Sequence, residues 1–322
     1  MSIEAIQGCI ASDMEAVDAV IRERLQSDVA LIRQISHYII NSGGKRLRPA
    51  LLLLAAGALG YGGRMHHELA AVIEFIHTAT LLHDDVVDES ALRRGVPTAN
   101  ALFGNAASVL VGDFLYSRAF QMMVGVNSIR VLEVLADATN TIAEGEVMQL
   151  LNCHNADIDE TRYLQVIRCK TAKLFEAATR LGAVLVDAEP ELEQAMARYG
   201  MHLGTAFQLI DDVLDYSGDQ EQTGKNVGDD LAEGKPTLPL IYAMQHGNAQ
   251  QARLIRNAIE HGGLGELQPV LQTIHETKAL AYARGCARRE AETACAAIVG
   301  LPRSKSAESL VQLTSFAVTR SF

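Results

Sequence analysis

The sequence predicts an all-α protein, and three observations carry the prediction. Apolar residues recur at i, i+3 and i+4 through nearly the whole chain. No run of strictly alternating apolar and polar residues marks a sheet. No Pro- or Ser-rich linker interrupts the helical pattern, so residues 1–322 read as a single domain.

The elements follow in chain order. Ser12 and Glu15 have capping-box spacing for a first helix. A second helix follows Ser27, with Leu31, Ile32, Ile35, Ile39 and Ile40 as its apolar stripe. Gly43-Gly44 stops that helix. Pro49 suits the first turn of the next one, where its missing N–H is harmless. The stretch from His67 to Asp88 has helical apolar spacing, and Gly95 and Pro97 mark a loop after it. Further helices are expected from about Gly104 to Val124 and from Ser128 to Leu151. Asp159 is placed to cap the helix carrying Lys170 and Thr171, and Pro190 to start the helix ending at Asp215. The polar segment Tyr216 to Pro236 reads as one long loop. A loop of that length inside a compact domain is more often functional than idle, so a lid or phosphate clamp is expected.

Composition narrows the class. An apolar fraction of 48% excludes a disordered chain. A net charge of −11 argues against non-specific nucleic-acid binding, so any anion site is built from individually placed Lys and Arg. The 5 cysteines are odd in number and include no Cys-x-x-Cys pair, which fits reduced thiols in a cytosolic protein. The N-terminal residues carry Glu4, Asp13 and Glu15 and lack the basic start of a signal peptide. The longest apolar run, Ala50 to Leu59, falls well short of the ~20 residues that span a bilayer. A cytoplasmic protein without a membrane span is expected.

Two acidic clusters carry the chemistry. LLHDDVVDE contains Asp84, Asp85 and Asp88, and FQLIDDVLDY contains Asp211, Asp212 and Asp215. On a helix, positions i and i+4 share a face, so Asp84 aligns with Asp88 and Asp211 with Asp215. Like charges at that spacing destabilise a bare helix, and Asp is a poor interior helix residue. A divalent cation removes the conflict. Mg²⁺ takes oxygen ligands and is held by a few carboxylates together with substrate phosphates. Each cluster ends a helix and precedes a cation-bearing loop, with Arg93 and Arg94 after the first and Lys225 and Lys235 after the second. This parallel hints at internal duplication.

Four segments in this order resemble the trans-isoprenyl (polyprenyl) diphosphate synthases. They are GGKRLRP, LLHDDVVDE with RRG after it, KTAKLFE, and FQLIDDVLD with GKNVGDDLAEGKPTLP after it. The resemblance implies a helical bundle around a deep central cavity, with the two aspartate clusters facing each other across its mouth. It implies three Mg²⁺ ions bridging them to an allylic diphosphate. Asp84, Asp88 and Asp211 match the most direct ligands, and Asp85, Asp212 and Asp215 match outer or water-mediated partners. Lys45, Arg48, His77 and Arg94 match the isopentenyl diphosphate site. Arg93, Lys170, Thr171, Gln208, Lys225 and Lys235 match the allylic site. Ala79, Thr80 and Met123 lie where chain length is set. Ala79 is small, so a growing chain passes it.

The expected activity joins isopentenyl diphosphate to an allylic diphosphate, with farnesyl diphosphate as primer and an all-trans product of eight isoprene units. Seven, nine or ten units remain open, as do a class I terpene cyclase and a non-catalytic subunit of a heteromeric synthase. A homodimer is the family expectation. Plainer readings stand beside these. His77 also suits a core histidine, Lys170 a surface lysine, and Met122 and Met123 core filler. Asp229 and Asp230 also suit a solvated loop, and Arg320 reads equally as a tail charge or a late contact.

Overall fold

The computed structural model describes residues 3–41, 44–93, 95–217 and 227–320. It is all-α. The described residues contain one sheet, a hairpin of two-residue strands pairing Leu92 with Pro97 and Arg93 with Val96. By Cα proximity the chain forms two compact units. The first comprises Met1–Thr139, Leu174–Gly200 and Ala297–Leu313, and the second Asn140–Lys173, Met201–Ala296 and Thr314–Phe322.

The first unit begins with α1 (Ile3–Gln7), a 3₁₀ turn (Gly8–Ile10), α2 (Ala11–Arg24) and α3 (Ala30–Asn41). The expected capping box at Ser12 is absent. The N-cap of α2 is Ile10, with no side-chain cap bond, because the backbone is already helical from Ile3 and leaves no free first-turn donors for Ser12 to satisfy. In α3, Ile35 is fully buried, but Leu31 is 45% exposed and does not belong to the buried stripe. Gly43 lies outside the described residues.

Helix α4 (Leu47–Ala58) has Pro49 in its first turn, as expected, and is buried almost all round. It packs on α5 (Met65–Val87), which also contacts α2 and α7 (Asn105–Gly125). After β1 (Leu92–Arg93) and β2 (Val96–Pro97), α6 (Ala99–Phe103) is capped by Thr98, whose hydroxyl accepts from the Ala101 N–H. Burial explains the close helix contacts here. A Cβ added at Gly182 would lie 2.8 Å from the Ala56 backbone nitrogen, so only glycine permits that approach.

Helix α8 (Ile129–Asn152) precedes α9 (Glu160–Ile167). Asp159 caps α9 as expected, accepting from the Arg162 N–H at 2.8 Å. A five-residue π turn, Arg168–Ala172, then leads into α10 (Lys173–Val184). Helix α11 (Pro190–Ser217) starts at Pro190 and extends two residues past Asp215.

The segment expected to be one long loop contains a short helix, α12 (Asp229–Ala232), entered through Gly228 at φ 86°. Residues 218–226 lie outside the described set. The second unit continues with α13 (Leu238–His246), α14 (Ala249–His261), α15 (Leu267–Glu276) and α16 (Ala279–Ala297), followed by α17 (Lys305–Thr319). One buried cluster of this unit centres on Tyr163, Leu209, Val213 and Ile241. Another centres on Tyr216, Leu240, Ile255 and Ile274. No described helix is long and apolar enough to cross a membrane.

Candidate active site

In the first unit the acidic cluster sits at the C-terminal end of α5. Its apolar stripe is buried, including Phe75, Ile76, Ala79 and Leu82, and this packing fixes the rotation of the helix. Asp84 and Asp88 are half-buried on one face, and the Asp88 N–H donates to the Asp84 carbonyl at 2.8 Å. Asp85 points elsewhere and is fully buried. Its Oδ1 accepts from Arg93 Nε at 2.9 Å and from Arg93 Nη2 at 2.6 Å. The hairpin delivers Arg93, and Asn100 fixes the corner by donating to the Asp85 carbonyl at 3.0 Å. Burial pushes the Asp85 carboxyl above its ordinary range. The Arg93 hydrogen bond opposes that shift, and the charges of Asp84 and Asp88 reinforce it. Its Oδ2 is buried without a hydrogen-bond partner.

The donor chemistry of this helix end tests it against a metal: Asp84 and Asp88 are half-buried carboxylates one turn apart, and Asp85 adds a buried oxygen without a hydrogen-bond partner. The donors are all hard oxygens, as Mg²⁺ requires, and an unpartnered buried carboxylate oxygen is costly unless a cation or water meets it. The residues fit.

The same unit holds the candidate isopentenyl group. Arg48, in the first turn of α4, lies 3.1 Å through Nη1 from His77 Nε2 on α5. Guanidinium only donates, so His77 Nε2 accepts and the imidazole proton sits on Nδ1. The Arg48 guanidinium also lies over the Phe175 ring, 4.7 Å from its centroid, which orients it by cation–π attraction. Lys45 is half-buried, and its carbonyl accepts from Gln7 Nε2 at 2.9 Å. The structure thus brings Arg48 and His77 into direct contact. Arg94 lies outside the described residues. Ala79 and Met123 are fully buried, and Thr80 is half-buried with its hydroxyl donating to the His77 carbonyl at 2.7 Å.

In the second unit a chain of contacts links three expected residues. The Thr171 hydroxyl donates to Gln208 Oε1 at 3.0 Å, and Gln208 Nε2 donates to Asp212 Oδ1 at 2.7 Å. The Tyr163 hydroxyl donates to Asp212 Oδ2 at 2.5 Å. Burial pushes the Asp212 carboxyl up to about 8, with the Asp230 charge adding to it and the Tyr163 and Gln208 hydrogen bonds opposing it. A divalent cation beside the cluster would reverse that shift. Asp211 is partly exposed, and Asp215 is buried, its Oδ2 accepting from the Asp230 N–H at 3.3 Å. Asp230 is therefore no mere solvating charge.

Lys170 lies in the π turn and pairs with Glu146 of α8 at 2.6 Å. Lys235 pairs with Glu233. Lys225 lies outside the described residues. Two residues here escaped the sequence reading, Glu146 and Tyr163, and of the two readings open for Arg320 the late contact is the one found. Arg320 is buried, donates to the Phe207 carbonyl at 2.8 Å, and lies 3.4 Å from Asp211 Oδ1. Its guanidinium also sits 3.7 Å from the Phe207 ring centroid, so it is a packed partner of the second cluster and not a tail charge.

Chemically, each unit offers an aspartate cluster with placed cationic or hydrogen-bonding neighbours. Such a set binds a hard dication and an anionic group together. Comparison with known proteins agrees. The family described as polyprenyl synthetase matches residues 29–274. Octaprenyl diphosphate synthase of Escherichia coli (strain K12) is 56% identical over 321 residues, covering 99% of this chain and 99% of the relative. The Haemophilus influenzae protein of the same description is 53% identical over 323 residues, covering 100% of this chain and 98% of the relative. Among solved structures, a polyprenyl synthase from Caulobacter crescentus CB15, complexed with calcium and isoprenyl diphosphate, superposes with a TM-score of 0.96 at 43% identity, covering 100% of this chain and 98% of that one.

Proposed function

This chain belongs to the polyprenyl synthetase family, and we propose that it is a trans-prenyltransferase joining isopentenyl diphosphate to an allylic diphosphate, primed by farnesyl diphosphate, to make all-trans-octaprenyl diphosphate for a respiratory quinone side chain. The observation that carries the reading is identity of 53% or more along the whole chain to octaprenyl diphosphate synthases, with both aspartate clusters present. One continuous family match, residues 29–274, runs through both compact units and supports their working as one catalytic domain.

The site assignments are part of the proposal. Asp84, Asp88 and Asp211 hold Mg²⁺ directly. Asp85, Asp212 and Asp215 act as outer partners, which suits Asp212, both of whose oxygens already accept hydrogen bonds. About three Mg²⁺ ions serve the site, and when bound they stabilise charge developing on the diphosphate leaving group.

The remaining work falls to the chain's own groups. Lys170, Thr171, Gln208, Lys225, Lys235 and Arg93 bind the allylic diphosphate, and Lys45, Arg48, His77 and Arg94 bind isopentenyl diphosphate. Fixed cations at a leaving group are worth most where water is excluded, because they need no reorganisation as charge develops. Lys170 is pre-placed by Glu146, and Arg48 by His77 and Phe175. The allylic C–O bond ionises, the isopentenyl double bond attacks the allylic carbon, and a proton leaves. No side chain is assigned as the base. The departing diphosphate takes that proton. Holding both substrates aligned supplies much of the rest of the acceleration. Ala79, Thr80 and Met123 set product length. The protein is proposed to work in the cytoplasm as a homodimer.

Incubating the purified chain with Mg²⁺, farnesyl diphosphate and labelled isopentenyl diphosphate tests the proposal. Chromatography of the dephosphorylated product is expected to show a chain of eight isoprene units. Turnover of farnesyl diphosphate alone would identify a cyclase. Inactivity of the purified chain would indicate a subunit that needs a partner.

A further inference from the structure

We propose that Asp13, His66 and His67 form a second metal site, built for one transition-metal dication of the zinc type and separate from the aspartate clusters. Asp13 lies in the first turn of α2, and the two histidines open α5. The Asp13 Oδ1 atom is 2.9 Å from His67 Nε2 and 3.5 Å from His66 Nε2. One ligand atom from each residue lies within 4.8 Å of the other two. Two ligands bound tetrahedrally at about 2.0–2.1 Å stand roughly 3.3 Å apart, so small side-chain adjustments close the set on one ion.

The chemistry of the three donors selects the ion. Two imidazoles and one carboxylate suit Zn²⁺, Co²⁺ or Ni²⁺, whereas Mg²⁺ prefers an all-oxygen shell. His66 is buried, and the Tyr61 ring meets it edge-on at 5.3 Å between centroids. Its Nε2 is the ring nitrogen that faces Asp13, 3.5 Å from Oδ1, and is the atom placed to coordinate. Asp13 and His67 are half-buried, which leaves an entry path. Three protein ligands leave at least one coordination position for water.

The location gives the site a structural consequence. The ion would join the start of α2 to the start of α5. His66 and Asp84 stand 18 positions apart on α5, about 27 Å at 1.5 Å per residue, so the two metal positions are independent.

Co²⁺ titration of the full chain in excess Mg²⁺ tests this, because Mg²⁺ occupies carboxylate sites and competes poorly for imidazole. Visible d–d absorption and melting temperature are read on the wild type, His67→Gln and Asp13→Asn. His67→Gln retains an amide able to hydrogen-bond Asp13 but removes the imidazole ligand, so it separates metal binding from the simple contact. The expected result is one saturable Co²⁺ equivalent that raises the melting temperature of the wild type. Both variants should weaken it at least about tenfold, each having lost a ligand or its charge. Equal Co²⁺ binding by all three proteins would overturn the assignment. Wild-type binding that excess Mg²⁺ abolishes would overturn it as well. Melting curves without Co²⁺ show whether each variant is folded, and one folded variant suffices for the comparison.

Discussion

Gly145 on α8 lies against the π turn that carries Lys170 and Thr171, and replacing it with alanine tests whether that turn positions a catalytic group. An added Cβ would sit 2.6 Å from the Lys170 backbone nitrogen, 2.9 Å from the Cys169 Cβ and 3.0 Å from the Cys169 carbonyl carbon. Ordinary contact distance is about 3.5–4.0 Å, so the overlap with Lys170 approaches 1 Å. Two of the three obstructing atoms are backbone, so rotation of one side chain does not relieve it. Overpacking of this kind costs about 1–3 kcal/mol of stability, a fall of several degrees in melting temperature for a chain this size. The larger effect is on catalysis. A displacement of about 1 Å at a positioned group can cost on the order of 100-fold, or about 2.7 kcal/mol of transition-state stabilisation. Initial rates of labelled isopentenyl diphosphate incorporation, taken against varied farnesyl diphosphate, are expected to show that loss in kcat/KM for the allylic substrate. The KM for isopentenyl diphosphate should stay near its wild-type value. Wild-type rates together with a wild-type melting temperature would refute the reasoning, because α8 would then have absorbed the methyl group without moving the turn. A change confined to the isopentenyl KM would place Lys170 and Thr171 in the other substrate site.

Other perturbations probe separate parts of the site. Asp84→Ala is expected to lower kcat at least about 1000-fold with an unchanged circular dichroism spectrum, and wild-type kcat would remove Asp84 from the metal ligands. Chelation by EDTA should stop turnover, and millimolar Mg²⁺ should restore it; full activity in EDTA would deny any metal requirement. Ala79→Tyr places a ring at a fully buried position one turn before Asp84 and is expected to shorten the product on chromatography; an unchanged chain length would exclude Ala79 from length control. Glu290 is opposed by burial, but the hydrogen bond and charge of His202, followed by Arg168, hold its carboxyl below the ordinary range. A lowered folded-state pKa contributes stability above the unfolded value of about 4.3, and that stability is lost as pH falls through the folded value. Glu290→Gln should therefore cost about 1.5–3 kcal/mol in denaturant titrations at pH 7, and that cost should shrink as pH falls below about 4.3 and through the folded value; a cost independent of pH would reject the linkage.

Much of the fold was legible in the sequence because its signals are local. The cap at Asp159, Pro49 in a first turn, and α5 and α11 ending beside acidic clusters all follow from spacing within a few residues. The capping-box expectation at Ser12 failed because the pattern records side chains but not whether the preceding backbone is already helical. Leu31 failed because an apolar stripe specifies a face and not how much of it is covered. At the site, the aspartates, Arg48 and Lys170 were readable as motif residues. Tyr163 was not, since its partner Asp212 is 49 residues away and an aromatic on an apolar helix face looks like packing. Glu146 was hidden for the same reason, its relevance lying in its pairing with Lys170, and Arg320 stayed between two readings because its partner Asp211 is 109 residues away.

The placement of both acidic clusters in the closing turns of α5 and α11 has an electrostatic consequence. Neither helix has a basic residue in its last turn. Each end therefore adds the partial negative charge of a helix C-terminus, roughly half an elementary charge, to the carboxylates already there. In a chain of net charge −11, such an end draws in dications and turns away bare polyanions. Free phosphate esters meet repulsion there, whereas the same esters paired with magnesium arrive nearly neutralised. A diphosphate carrying its counterions is therefore the form these helix ends favour on electrostatic grounds.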